Sequence, residues 1–250
     1  MTAIDTINLT KRYGETIAVD ALDLTVPEGL VYGFLGPNGA GKTTTMQMLT
    51  TLMEPTDGTA RIAGHPITER EAVAPHVGYL PDMPPLYDEL TGREQLEYAA
   101  GLRDISDAHS QEQIVTLLNR FDLTADADKR ISTYSKGMKQ KAGLIQVLLH
   151  DPEVVFLDEP TSGLDPRAAH TVRETIVELA ASDATVFLST HILPVVEEVA
   201  DRVGVLYEGS LVAEGPPDEL AEQADSDLED IFLELTEERE AEPVAAEGDT

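Results

Sequence analysis

The 250-residue chain contains no cysteine, which excludes a disulfide framework and any thiolate metal site and fits a reducing, cytoplasmic setting. No run approaches the roughly eighteen apolar residues of a membrane span. The longest apolar stretches, such as residues 154–157, are only strand-sized. The first residues show neither the basic stretch nor the apolar segment of a signal peptide. Any membrane role therefore calls for a separate chain to supply the membrane part. Basic residues are also scarce: 17 Lys and Arg stand against 47 Asp and Glu, a formal net charge of −30. That balance excludes a general nucleic-acid binder and disfavours adsorption to anionic lipid.

The acidity is not confined to one end. Residues 221–250 hold twelve acids and one base, Arg239, a net of −11, so the other 220 residues still carry −19 of the total −30. With only six lysines, this composition resembles that of proteins from salt-loving archaea, in which strong screening offsets self-repulsion. The alternative is an ordinary acidic protein with an acidic tail.

Hydrophobic patterning divides the chain. Residues 6–9 and 18–26 predict short strands, closed by a turn at Pro27-Glu28-Gly29. An apolar run at 30–35 then leads through a glycine-rich loop into a helix over 44–53, with Leu49, Leu52 and Met53 at helical spacing. Residues 86–150 change character. Thr91-x-x-Glu94 and Ser110-x-x-Gln113 have the form of capping boxes, and Ile114, Leu117, Leu118 and Phe121 make an apolar stripe, so a helical lobe is expected. Strands return at 154–157 and 185–188. The helix between them has the stripe Val172, Ile176 and Leu179, Asp165 as its cap and Pro166 in its first turn. A βαβ unit of this kind implies a parallel sheet. Residues 203–207 and 210–213 predict a closing hairpin, 218–224 a short helix, and the charged end beyond about 237 disorder.

Three groups of residues carry chemistry. Gly36-Pro37-Asn38-Gly39-Ala40-Gly41-Lys42-Thr43 matches G-x-x-x-x-G-K-[ST] between a strand and a helix, the context that pattern requires. Its glycines let backbone N–H groups curl toward phosphate oxygens. Lys42 supplies a point charge to the β- and γ-phosphates, and Thr43 a hydroxyl for Mg²⁺. Thr44 follows as part of the same binding segment. Asp158 and Glu159 end the strand at 154–157, where the C-terminal edge of a parallel sheet presents them to a ligand. Asp158 suits the Mg²⁺ shell and Glu159 the polarisation of an attacking water.

The third group is Tyr134-Ser135-Lys136-Gly137-Met138-Lys139-Gln140. It resembles the signature motif of ABC ATPases, usually Leu-Ser-Gly-Gly-Gln. Ser135 and Gly137 match, while Tyr134, Lys136 and Met138 depart in a manner similar to ATPase subunits paired with type-2 ABC exporter permeases. Ser162-Gly163-Leu164-Asp165 resembles the family's D-loop, and His191 its switch histidine, which contacts the γ-phosphate. Tyr13 stands where the family stacks an aromatic ring on adenine. After Val77-Gly-Tyr-Leu-Pro81 the family's Q-loop usually supplies glutamine. Here Asp82 takes that position, able to face Mg²⁺ or its water but unable to act as an amide. Residues 228–236 look like the ending of type-2 exporter ATPases, or an ordinary amphipathic helix.

The resemblance implies an α/β P-loop NTPase: a RecA-like core with a mainly parallel sheet, an N-terminal antiparallel β region and an inserted helical subdomain. An ATPase domain is expected over 1–224, with a core lobe at about 1–82 and 151–224, a helical lobe at about 83–150 and an acidic extension at 225–250. The implied cofactors are ATP and Mg²⁺, the latter held by Thr43, Asp158 and Asp82. Lys42, Glu159 and His191 are the implied catalytic residues. A nucleotide would contact Tyr13, 36–44, Ser135, Lys136, Gly137 and Asp165, with Ser135 to Gly137 supplied by a second, head-to-tail copy. The implied partners are that copy and an integral membrane permease, which would hold the ATPase at the inner face of the cell membrane for export. Two rivals remain at this level: a soluble ABC ATPase driving assembly of a non-transport complex, and a nucleotide sensor without chemistry, to which Asp82 leaves room.

Overall fold

A computed structural model describes residues 1–103 and 105–223. The expected disorder beyond 237, the resemblance at 228–236 and residue 224 of the last predicted helix lie outside the described residues.

Two sheets form the frame. The first is antiparallel, in the order β2-β1-β4-β5, from β1 (Thr2–Tyr13), β2 (Thr16–Pro27), β4 (Asp57–Ile62) and β5 (His65–Pro66). The second runs β10-β9-β3-β8-β7-β6, from β3 (Val31–Leu35), β6 (Val77–Leu80), β7 (Val154–Asp158), β8 (Thr185–Thr190), β9 (Arg202–Tyr207) and β10 (Ser210–Gly215). Its five strands from β9 to β6 are mutually parallel, and β10 closes the edge as the antiparallel hairpin partner of β9.

Every residue of β3, β7 and β8 is buried. That is the signature of parallel strands covered on both faces, and it explains why they read as continuous apolar runs. Phe187 sits at the centre, stacked on Tyr32 at 5.4 Å between ring centroids and tilted against Phe34 at 5.1 Å and Phe156 at 5.5 Å.

β1 and β2 are each 12 residues, longer than their apolar patterns suggest. Bulges break the alternation: register shifts between Thr6 and Leu9 coincide with Asn8 at φ 48°, leaving Ile7 exposed. β4 was not apparent in the sequence, because its burial pattern is mostly exposed and only Ala60 and Ile62 face the core.

The helix after the glycine-rich loop, α1 (Lys42–Leu49), is shorter than expected. Thr50 Oγ1 donates to the Met46 carbonyl, Thr51 turns to φ 61°, and the N–H groups of Leu52 and Met53 both reach back to Gln47 O. Leu52 therefore swings outward, 53% exposed, instead of continuing the stripe.

After the single turn α2 (Arg70–Val73) and β6 come three helices, α3 (Gly92–Leu102), α4 (Asp107–Arg120) and α5 (Lys136–Leu148). Thr91 and Glu94 form a true capping box on α3. The Ser110 and Gln113 box does not exist. α4 begins four residues earlier with Ser106 at its cap, and Ser110 is buried with its hydroxyl on Asp107 O. Ile114, Leu117, Leu118 and Phe121 are all buried in one cluster with Leu96, Ile145 and Leu157. Arg103 fixes the end of α3 to β6: its Nη2 donates to Val77 O at 3.5 Å, and its Nη1 lies 2.7 Å from Nε2 of His150, just past α5. Burial, followed by the Arg103 charge, pushes its imidazole down to about 4, so the ring is a neutral acceptor.

α6 (Pro166–Ala181) is capped by Asp165, whose carboxylate accepts from the backbone N–H groups of Arg167 and Ala168. α7 (Leu193–Val199) and α8 (Pro217–Gln223) complete the helices of the described residues.

Truncating Phe187 to Ala removes a ring shared by three others and should cost about 3–5 kcal/mol. Chemical denaturation is the check: the midpoint should drop while the denaturant slope stays unchanged.

Candidate nucleotide site

Parallel pairing decides where the motifs meet. Leu35 pairs with Thr190, Asp158 with Ser189, and Leu80 with Leu157, so β3, β8, β7 and β6 all end at one edge of the sheet. The loop 36–41, Asp158 and Glu159, Ser189 to His191, and Asp82 leave from that edge.

The loop is held by its glycines. Gly41 has φ 107°, a conformation side chains rarely adopt, and a β-carbon there would drive into the Ala18 carbonyl oxygen. Gly36 has no such dihedral constraint, but a β-carbon would strike Leu206 O of β9. Ala40 N–H donates to Pro37 O, and its own carbonyl accepts from Gly209 N–H. Gly41 opens α1, and no acid lies in that helix's first turn, leaving its N-terminal dipole free for an anion.

Lys42 is buried, 6% exposed. Its Nζ donates to Gly36 O at 2.7 Å and Pro37 O at 3.1 Å, and lies 3.8 Å from Glu159 Oε1. Burial lowers its pKa, opposed by the charges of Glu159 and then Asp158. Asp158, 3% exposed, accepts from Thr43 Oγ1 at 2.8 Å and from Ser189 Oγ at 2.6 Å. Glu159 accepts from Thr190 Oγ1 at 3.1 Å and lies 2.8 Å from His191 Nδ1. Its backbone stands at φ 48°, with its N–H on Ser189 O. A left-handed conformation at a residue with a side chain costs about 1–2 kcal/mol. Here it turns the carboxylate away from the strand's line and toward Lys42 and His191.

Asn38, Gly39, Gly41, Lys42, Thr43, Thr44, Asp82, Asp158 and Glu159, with Ala18, line one cavity of about 290 Å³. The structure thus gathers the loop, the two carboxylates, the histidine and Asp82. It does not bring the signature-like residues there. Ser135 caps α5 by accepting from Met138 N–H at 3.2 Å, and Ser135, Gly137 and Asp165 line a different groove of about 430 Å³. Tyr13, half-exposed at the end of β1, donates its hydroxyl to Met53 Sδ and lines neither.

Ser189 and Thr190 hold the two carboxylates, a role not assigned to them from sequence. Two hydroxyls ending an otherwise apolar buried strand were the available signal. Tyr79 was also passed over. Burial and, next, the Asp158 charge raise its phenol well above the ordinary range, marking it as a neutral wall close to that carboxylate. Tyr134 replaces the usual leucine for a visible reason: its hydroxyl donates to Asp126 O at 2.8 Å, and Gly92 leaves the room for it.

Fold and site together define a P-loop nucleotide-binding protein. A family model described as ABC transporter matches residues 19–162. The daunorubicin resistance ATP-binding protein DrrA3 of Streptomyces coeruleorubidus is 40% identical over 93% of this chain and 74% of its own. The bacitracin transport ATP-binding protein BcrA of Enterococcus faecalis is 42% identical over 84% of this chain and 68% of its own. A solved structure, described as an ATP binding subunit of an ABC transporter, superposes with a TM-score of 0.86 at 33% identity, covering 94% of this chain and 99% of that one. The chain belongs to the ABC transporter family, among its ATP-binding proteins. Against eight such curated relatives it spans between 62% and 76% of their length.

Gly41→Ala should lower ATP affinity at least tenfold, about 1.4 kcal/mol or more, because neither the dihedral nor the Ala18 carbonyl admits a side chain. Titration with a fluorescent ATP analogue measures it. Unchanged affinity would refute this account of the loop.

Proposed function

We propose that the chain is the ATP-hydrolysing subunit of an exporter, working as a head-to-tail pair beneath a separate type-2 membrane permease on the cytoplasmic face of the cell membrane. One observation carries the hydrolytic part: Glu159 is poised between Lys42 and His191, 3.8 Å from the first and 2.8 Å from the second. A carboxylate so held can accept a proton from a water lined up on the γ-phosphate, while His191 fixes its orientation. Lys42 then stabilises the charge gathering on the phosphate oxygens.

The residues present fit Mg²⁺. That ion keeps several waters and needs only one or two protein oxygens beside the phosphates. Thr43 Oγ1 and Asp158 Oδ2 stand 2.8 Å apart at the cavity wall, and Asp82 lines the same cavity with a further carboxylate. When bound, Mg²⁺ would supply positive charge to offset the negative charge of the phosphates, with Thr43, Asp158 and Asp82 as the residues to hold it. Tyr13 offers an exposed ring for adenine.

Pairing of two copies follows from the separation of the two halves. Ser135, Lys136, Gly137 and Asp165 of one copy close over the nucleotide held by residues 36–44 of the other, and ATP becomes part of the interface. The core lobe, about 1–82 and 151–224, then moves against the helical lobe, about 83–150. The segment after Asp82 is tied to α5 by Lys139 and Asp88 at 2.7 Å and by Gln95 and Gln146 at 2.8 Å. Around it Met83, Tyr87, Tyr98 and Leu102 are exposed, an apolar face suited to the permease. Relatives named for drug resistance and bacitracin transport support the export reading.

Glu159→Gln should bind ATP and form a stable ATP-dependent dimer while turnover falls roughly 100-fold or more. Phosphate release and sedimentation measure the two. Near-normal hydrolysis would remove Glu159 from its role.

A further inference from the structure

The ring of Tyr13 is held from behind. Lys11 lies two residues earlier on β1, and its Nζ stands 5.5 Å from the centroid of the Tyr13 ring, within cation–π reach. The same ammonium donates to Glu54 O at 2.6 Å, while the Tyr13 hydroxyl donates to Met53 Sδ at 2.9 Å. Two adjacent residues beyond α1 thus hold the ammonium and the rim of the ring. The backbone is tied at the same place: Arg12 N–H donates to Thr56 Oγ1 at 3.0 Å, and Thr56 N–H to Thr10 O at 2.8 Å.

These contacts connect the ring to the phosphate loop through one short helix. α1 opens at its Gly41 cap with Lys42 as its first residue, and its early end at Thr50 brings Met53 and Glu54 against β1. The hairpin partner β2 closes the circuit, since Ala18 lines the 290 Å³ cavity and its carbonyl abuts Gly41. An aromatic face carries partial negative charge, so stacked π-systems repel through their faces. An ammonium behind one ring draws on that charge and eases the repulsion on the opposite side. Tyr13 is half-exposed, which leaves ring surface for a base.

On the reading of Tyr13 as the adenine platform, we propose that Lys11 is its positioning residue. The ammonium backs one face of the ring and presents the other to the purine. Met53 and Glu54 fix ring and ammonium to the end of the helix whose start carries the phosphate loop. The spacing of platform and loop is thereby set by α1, which favours a ligand that spans both, a purine base joined through a ribose to a polyphosphate. Lys11 itself does not touch the nucleotide and acts through Tyr13.

The test uses the full-length protein, titrated by calorimetry with ATP and, side by side, with inorganic tripolyphosphate, which has no base. Lys11→Gln keeps a donor for Glu54 O and removes the charge. It should weaken ATP binding roughly 3- to 10-fold, the range of a cation–π contact, and leave tripolyphosphate unchanged to within about twofold. Lys11→Arg should restore most of the ATP affinity. Tyr13→Ala should weaken ATP binding at least as much, and in that background Lys11→Gln should have no further effect, because the two residues act as one unit. If Tyr13→Ala weakens ATP binding and Lys11→Gln does not, the role of Lys11 is overturned alone. An equal loss for tripolyphosphate, additive losses in the double variant or no recovery with Lys11→Arg also overturn it. If Tyr13→Ala leaves ATP affinity intact, the adenine platform falls, and the role of Lys11 with it.

Discussion

The buried ammonium of Lys42 is the constraint on which the site depends. Removing a charge from water costs several kcal/mol unless it is paired and hydrogen-bonded. Lys42 meets that cost with two loop carbonyls and Glu159. Glu159 is in turn fixed by Thr190 and His191, while its neighbour Asp158 is fixed by Thr43 and Ser189. The glycine-rich loop, the end of β7 and the end of β8 thus form one polar network whose members leave a neighbour unsatisfied if removed. A network of that kind holds charged groups in place before a ligand arrives, which is what electrostatic catalysis requires.

The rest of the fold keeps this network in register. Each segment comes from a different strand of a parallel sheet, so a slip of one residue would move a hydroxyl or carboxylate to the wrong face. The fully buried β3, β7 and β8 and the aromatic group around Phe187 make such slips costly. The antiparallel sheet contributes Ala18, whose carbonyl presses on Gly41, and packs with α1 in a shared apolar cluster. The helices between β6 and β7 hold the signature-like residues well away from the loop. What they share with the site edge is the segment after Asp82, tied to α5 by an ion pair and an amide pair.

Charge distribution gives the two halves different characters. The loop cavity concentrates carboxylates around one lysine, whereas the start of α5 concentrates lysines. The groove beside that helix start is lined by acids as well as bases, Asp122, Asp126, Asp165 and Glu174 with Arg120, Lys141 and Arg167.

Much of this was legible in the sequence because it is local. Gly36, Gly41, Lys42 and Thr43 declare a phosphate loop by spacing, since the curl of a few residues and the helix behind it are set by those residues themselves. Thr91 with Glu94, and Asp165 with Pro166, likewise announced their helix starts. Ser110 misled because a capping pattern is only an offer: the chain placed the helix start at Ser106, where Ile114, Leu117 and Leu118 could still face the core. α1 ended early because Thr50 and Thr51 redirected the backbone, which apolar spacing does not register. The full length of the bulged β1, of which only 6–9 was expected, and the mostly exposed β4 were not legible, because their pairing is decided across the sheet. The sequence by itself determined which groups could hold phosphate and activate water. Only the tertiary structure decided that Glu159 turns toward Lys42 and His191, that Ser189 and Thr190 hold the carboxylates, and that Ser135 to Gly137 stand apart from the loop, because those outcomes depend on the register of parallel strands far apart in the chain.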